Sequence, residues 1–184
     1  MEESMHGIIF HEMKKYVVTK LGDHAWDSLL TASGLGFKNY LATGQYPDQE
    51  AVLLVDTAST LTKQPASAIL EDFGAFIVPD LAKVYGGLIK SEWKTLDLLE
   101  NVEKVIHEVI RRQDPNAKPP RLVCSRPSMG EVHITYTSPR KMCSVAKGII
   151  SGLAALYGEK VQTKETTCMH KGDNACNIVV KSAK

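Results

Sequence analysis

The feature that most constrains this chain is a proline-rich connection, "DPNAKPPRL", at 114–122. Pro115, Pro119 and Pro120 each lack a backbone N–H and crowd the preceding turn, so no helix interior runs through this stretch. On its N-terminal side apolar residues recur at spacings of three and four. "GIIFHEMKKYVVTKLG" places Ile8, Ile9, Met13, Tyr16, Val17 and Leu21 in this way. "DHAWDSLLTASG" reads as a helix capped by Asp23 and ending near Gly34. "YPDQEAVLLVDTASTLTK" and "PASAILEDFGAFIVPDLAKVYGGLI" continue the pattern, the second broken or kinked at Pro79. "SEWKTLDLLENVEKVIHEVIRRQ" predicts one long helix, with a stripe of Leu98, Leu99, Val102, Val105, Ile106, Val109 and Ile110.

Beyond the prolines the period changes. "RLVCSRP" and "EVHITYTS" read as strands, "RKMCSVAKGIISGLAALYG" as a helix ending at Gly158, and "KVQTKETT" and "CNIVVKS" as closing strands. The expected architecture is α+β: a helical part over about 5–118, then an antiparallel sheet carrying a long helix over about 119–184. A length of 184 residues with 43% hydrophobic content suits one domain with an ordinary core. A formal net charge of +1 supplies no field to recruit nucleic acid or an anionic membrane. There is no apolar run of roughly 18 to 20 residues and no signal-peptide pattern, so a cytoplasmic protein is expected. No Walker loop, GxSxG, HExxH or acid pair suggests an enzyme.

Two features bear chemistry. In "EVHITYTSPRK", Val132, Ile134, Tyr136, Ser138 and Arg140 would share one strand face, passing from apolar to a phenol, a hydroxyl and a guanidinium. Such a rim matches a pair of carboxylates, or else is a strand end with packed Tyr and solvated Arg. His107 falls about 60° beyond the edge of the long helix's stripe at roughly 100° per residue. It reads either as a boundary histidine or as an imidazole offered to a metal. Haem accounts for both features: a flat apolar disc with one axial imidazole and two carboxylates at its edge. Cys143, Cys168 and Cys176 could join a tetrahedral zinc site or be small buried hydrophobes. Cys124 reads as a plain strand residue.

"MHGIIF", "ENVEKVIHEVIRRQDPNAKPPRL", "YTSPRKMC", "GIISGLAALYG" and "TTCMHKGDNAC" together resemble the haem nitric oxide/oxygen-binding (H-NOX) family, related to the sensor domain of soluble guanylate cyclase. The terminal cysteine motif resembles one bacterial branch. The resemblance covers 5–184 as a single domain, with "MEES" at 1–4 as an extension. It implies haem b held between the helical and sheet-containing parts. His107 is then the iron ligand, Tyr136, Ser138 and Arg140 hold the propionates, and Pro120 presses on the ring. The distal positions become Ile9, Met13, Leu81, Val145 and Ile149. Oxygen-binding members carry a distal tyrosine where this chain has Val145, and none of the five residues donates a hydrogen bond to bound oxygen.

The implied function is therefore a nitric oxide sensor that excludes oxygen and signals by rupture of the iron–His107 bond. The partner is a separate histidine kinase or cyclic-di-nucleotide enzyme. Zinc is implied on Cys143, Cys168 and Cys176, but the family's histidine three residues before the first motif cysteine is Glu165 here. Glu165 or His170 is left as fourth ligand. The rival reading is a zinc-thiolate redox sensor with weak or absent haem binding.

Overall fold

The change of period at the prolines is realised as a change from helix to sheet. The computed structural model describes residues 4–115 and 117–183. Of the expected extension, residues 1–3 lie outside that range, as do Asn116 in the proline-rich connection and Lys184. Packing divides the chain into two compact units, Met1–Phe73 and Gly74–Lys184. This boundary precedes the change of period, because the helices between Gly74 and the prolines pack with the sheet.

In the first unit, β1 (Ser4–His6) pairs antiparallel with β2 (Gln45–Pro47). This two-stranded ribbon is absent from the sequence reading: strands of three residues are too short to show a period. Ser4, the last residue of the expected extension, opens it. Helices α1 (Gly7–Leu21), α2 (Ala25–Ala32) and α3 (Asp48–Thr62) follow the apolar spacing. Asp23 does not cap α2; His24 occupies that position, without a side-chain capping bond. Gly7 sits where a Cβ would stand 1.9 Å from the Leu41 carbonyl oxygen, and its N–H donates to the Gly44 oxygen at 2.7 Å. That contact brings Phe10 onto Tyr40 in a stack of 4.3 Å, with Tyr46 and Trp26 edge-on to Tyr40. The aromatic cluster is this unit's core.

Helix α4 (Ala66–Phe76) stops and α5 (Val78–Tyr85) begins with Pro79 in its first turn, where its missing N–H costs nothing. Pro79 thus starts a helix after a break. The expected single long helix is three pieces in line: α6 (Thr95–Val102), a π-helical turn (Glu103–His107) and α7 (Glu108–Gln113). After the prolines come β3 (Arg121–Ser128), β4 (Glu131–Thr137), α8 (Cys143–Leu156), β5 (Lys160–Thr167) and β6 (Cys176–Ala183). The sheet is antiparallel with strand order β3-β4-β6-β5.

Alternation on β4 decides how this sheet is covered. Val132, Ile134 and Tyr136 are buried, while His133 and Thr137 are exposed. The buried face continues on β6 through Ile178 and Val180, and meets Leu96, Leu98 and Leu99 of α6 and Ile150 and Leu153 of α8. Helices α4, α5 and α8 come close through glycine. A Cβ at Gly74 would lie 2.3 Å from the Val145 carbonyl oxygen, and one at Gly152 would lie 2.7 Å from Val78 Cγ2.

In an unconstrained helix Gly→Ala stabilises by about 1 kcal/mol. Here Gly74→Ala is expected to reverse that sign and cost about 1–3 kcal/mol through overpacking. Gly87→Ala, which meets nothing within 4 Å, should stay within about 0.5 kcal/mol of the parent. Urea unfolding midpoints of the three proteins check both.

Candidate functional site

His107 closes the π-helical turn, in which the N–H of Glu108 bonds to the carbonyl of Glu103, five residues back. The turn sets Glu103, His107 and Arg111 in contact along one side. His107 Nδ1 lies 3.0 Å from Glu103 Oε2, which also accepts from the Leu122 N–H of β3 at 3.1 Å. Arg111 Nη2 donates to Glu103 Oε1. The His107 side chain is 14% exposed and that of Glu103 17%. Burial pushes the imidazole pKa below its ordinary value; Glu103 and the Pro120 backbone oppose this and Arg111 adds to it. At neutral pH the ring is therefore uncharged, the form that ligates a metal.

Tyr136 and Ser138 are buried. Burial holds the Tyr136 phenol protonated, with its pKa pushed up to about 12 against opposing hydrogen bonds from the Ser138 side chain and the Met142 backbone. β4 ends at Thr137, so Ser138 and Arg140 are not on the strand face that alternation assigned to them. They converge instead through the turn into α8. The Lys141 N–H bonds the Ser138 carbonyl at 3.1 Å, and Ser138 Oγ accepts the Arg140 N–H at 3.3 Å. Arg140 Nη1 donates to the Lys118 carbonyl at 2.5 Å, tying the guanidinium to the proline-rich connection.

The expected apolar positions have side chains with no donor. Leu81 on α5 and Val145 and Ile149 on α8 are half-buried in the second unit; on α1 of the first unit, Ile9 is half-buried and Met13 buried. A buried neutral imidazole and a phenol, hydroxyl and guanidinium within the same unit form a donor set that fits haem: one nitrogen for iron and hydrogen-bond donors for carboxylates.

The cysteines form a separate cluster. Cys143, Cys168 and Cys176 are buried free thiols, and their sulfurs together with a Glu165 carboxylate oxygen all lie within 4.8 Å of one another. The β5–β6 register shifts between Glu165 and Thr167. With that bulge and the turn after β5, Glu165 and Cys168, which strict alternation would send to opposite faces, reach the same point. His170 is exposed and elsewhere, its Nε2 2.6 Å from the Lys141 carbonyl oxygen. Glu165 Oε1 is buried with no hydrogen-bond partner, and Lys147 stands 3.9 Å from Oε2. Burial, most of all, raises the pKa values of Cys143 and Cys176. A carboxylate with an orphaned oxygen among three thiols matches the donor set of a zinc site. Cys124 stands apart on β3; burial and the charges of Glu103 and Glu100 raise its pKa to about 11.

The sequence reading missed Glu103 and Arg111. The available signal was their placement four residues before and after His107, the helical spacing at which side chains meet.

The family model described as Haem-NO-binding matches residues 6–165. Among curated proteins, the chain is 24% identical over 159 residues to soluble guanylate cyclase gcy-34 of Caenorhabditis elegans, covering 83% of this chain and 23% of that protein. It is 23% identical over 157 residues to soluble guanylate cyclase gcy-32 of the same organism, covering 82% and 23%. The chain thus spans about a quarter of the length of these relatives. Among solved structures it is similar to an H-NOX protein from S. oneidensis in the Fe(II)NO ligation state, with TM-score 0.91, 24% identity and coverage of 98% of this chain and 100% of that one. It is also similar to Fe(II) unliganded H-NOX protein from K. algicida, with TM-score 0.87, 21% identity and coverage of 98% and 97%.

Glu165→Leu removes a buried carboxylate whose Oε1 has no partner. In metal-free protein it is expected to stabilise by about 1–3 kcal/mol, less up to about 1 kcal/mol for the lost Lys147 contact. Denaturant unfolding in the presence of a chelator reads the sign.

Proposed function

From the premise that the chain belongs to the Haem-NO-binding family, a family of haem-based gas-sensor domains, we propose that it binds haem b, senses nitric oxide and excludes oxygen. The reading is carried by the buried, uncharged imidazole of His107, oriented by a carboxylate, in the same unit as the Tyr136, Ser138 and Arg140 donors. Bound ferrous haem would supply the iron that takes a diatomic gas. His107 would hold that iron from its buried helix, Tyr136, Ser138 and Arg140 would hold the propionates, and Pro120 would press on the ring. Ile9, Met13, Leu81, Val145 and Ile149 offer no hydrogen bond to oxygen, whose outer atom needs one, whereas nitric oxide binds iron without it.

Release of His107 from the iron would free the helix that carries it and bias a two-state element toward a new surface. That surface would be read by a catalytic signalling partner, a histidine kinase or a cyclic-di-nucleotide enzyme. A cytoplasmic, bacterial setting belongs to the same reading, through the likeness of the terminal cysteine motif to a bacterial branch. Cys143, Cys168, Cys176 and Glu165 would hold zinc in a second site, with Lys147 offsetting part of the excess negative charge.

Protein expressed with adequate haem supply is expected to show a Soret band that shifts with nitric oxide and is lost or altered in His107→Ala. The reduced wild type should form no stable oxygen complex in air; a persistent oxy spectrum would refute the gas assignment. Metal analysis should find about one zinc per chain, falling below about half in Cys168→Ser. A colourless protein that retained zinc and responded to peroxide would favour the thiolate sensor instead.

A further inference from the structure

We propose that Glu103 is a positioning residue that fixes His107 as its Nδ1–H tautomer and so turns the Nε2 lone pair toward the iron. The proposal rests on the haem reading above and adds a residue to it. A neutral imidazole carries one proton, and the partner of one nitrogen decides what the other can do. Two acceptors face this ring: the Glu103 carboxylate, 3.0 Å from Nδ1, and the backbone of Pro120. A hydrogen bond to an ionised acceptor is roughly twice as strong as one to a neutral carbonyl, so the carboxylate takes the proton.

Glu103 is itself held in place. Its Oε2 accepts the Leu122 N–H from β3 and its Oε1 accepts from Arg111. It is therefore clamped by a helix side chain and by a strand backbone, unlike an exposed ion pair that contributes little. Glu103 and His107, four residues apart, face one another along the π-helical turn, whose extra residue per turn changes the phase between α6 and α7. Groups that orient a ligating histidine in this way are typically worth roughly 10- to 100-fold in metal affinity or activity. Through Leu122, the same carboxylate also joins the histidine to the sheet.

Two measurements test this. In haem-free wild type labelled with 15N-histidine, the ring shifts of His107 should report the Nδ1–H tautomer, moving toward Nε2–H in Glu103→Leu. A wild-type Nε2–H tautomer would overturn the proposal without any variant having to fold. In the ferrous haem-loaded protein, resonance Raman should place the iron–histidine stretching band of Glu103→Gln below that of wild type, because the neutral amide draws less on the Nδ1–H. Identical bands would overturn the proposal. Wild type that shows the Nδ1–H tautomer but takes up no haem would sink the haem reading itself, and with it any role of Glu103 toward iron.

Discussion

Everything in the second unit depends on burying one face of β4. Val132 and Ile134 lie under α6 and α8, and their burial fixes the register of the neighbouring strands, since a slip of one residue would turn them to solvent. The same face then passes from core to chemistry within a few residues. Tyr136 packs against Cys143, Cys168, Met169 and Cys176 and presents a phenol, and the turn beyond it brings in Ser138 and Arg140. The Tyr136–Ser138–Arg140 turn and the thiol cluster are thus two ends of one packing decision.

Two carboxylates in this unit have the same side-chain exposure, 17%, and opposite surroundings. Glu103 contacts three groups, His107 Nδ1, the Leu122 N–H and the Arg111 guanidinium. Glu165 has a lysine at 3.9 Å and one oxygen with no partner, set among buried thiols, of which Cys143 and Cys176 are held protonated by burial. Taking a charge from water without compensation is costly. The first carboxylate is held by its neighbours, whereas the second stands in a cluster compatible with a metal site. A divalent ion there would deprotonate the thiols outright and turn an unfavourable cluster into a closed site.

The scale of the chain frames its output. It matches about a quarter of the curated guanylate cyclases to which it is similar. Within it, the histidine lies at the point where the hydrogen-bonding pattern changes between α6, the π-helical turn and α7, and its carboxylate partner is tied to β3.

Much of this was determined by the sequence alone. The prolines at 115, 119 and 120 end the helical pattern, the alternation of β4 separates a buried face from an exposed one, and the motif residues point to haem. These are local matters: a missing N–H, a period of two or 3.6, a type of side chain. What only the tertiary structure decided is where separate segments meet. The π-helical turn has no signature in apolar spacing, so one continuous helix was expected. The Ser138 and Arg140 positions follow from a turn rather than from strand alternation. Glu165 in place of His170 follows from a bulge that no period reveals. Even the pairing of β1 with β2 needs Gly7 to lie against the Leu41 backbone, a contact between residues far apart in the chain. Periodicity records which face of an element is buried; it does not record which distant backbone group will stand opposite.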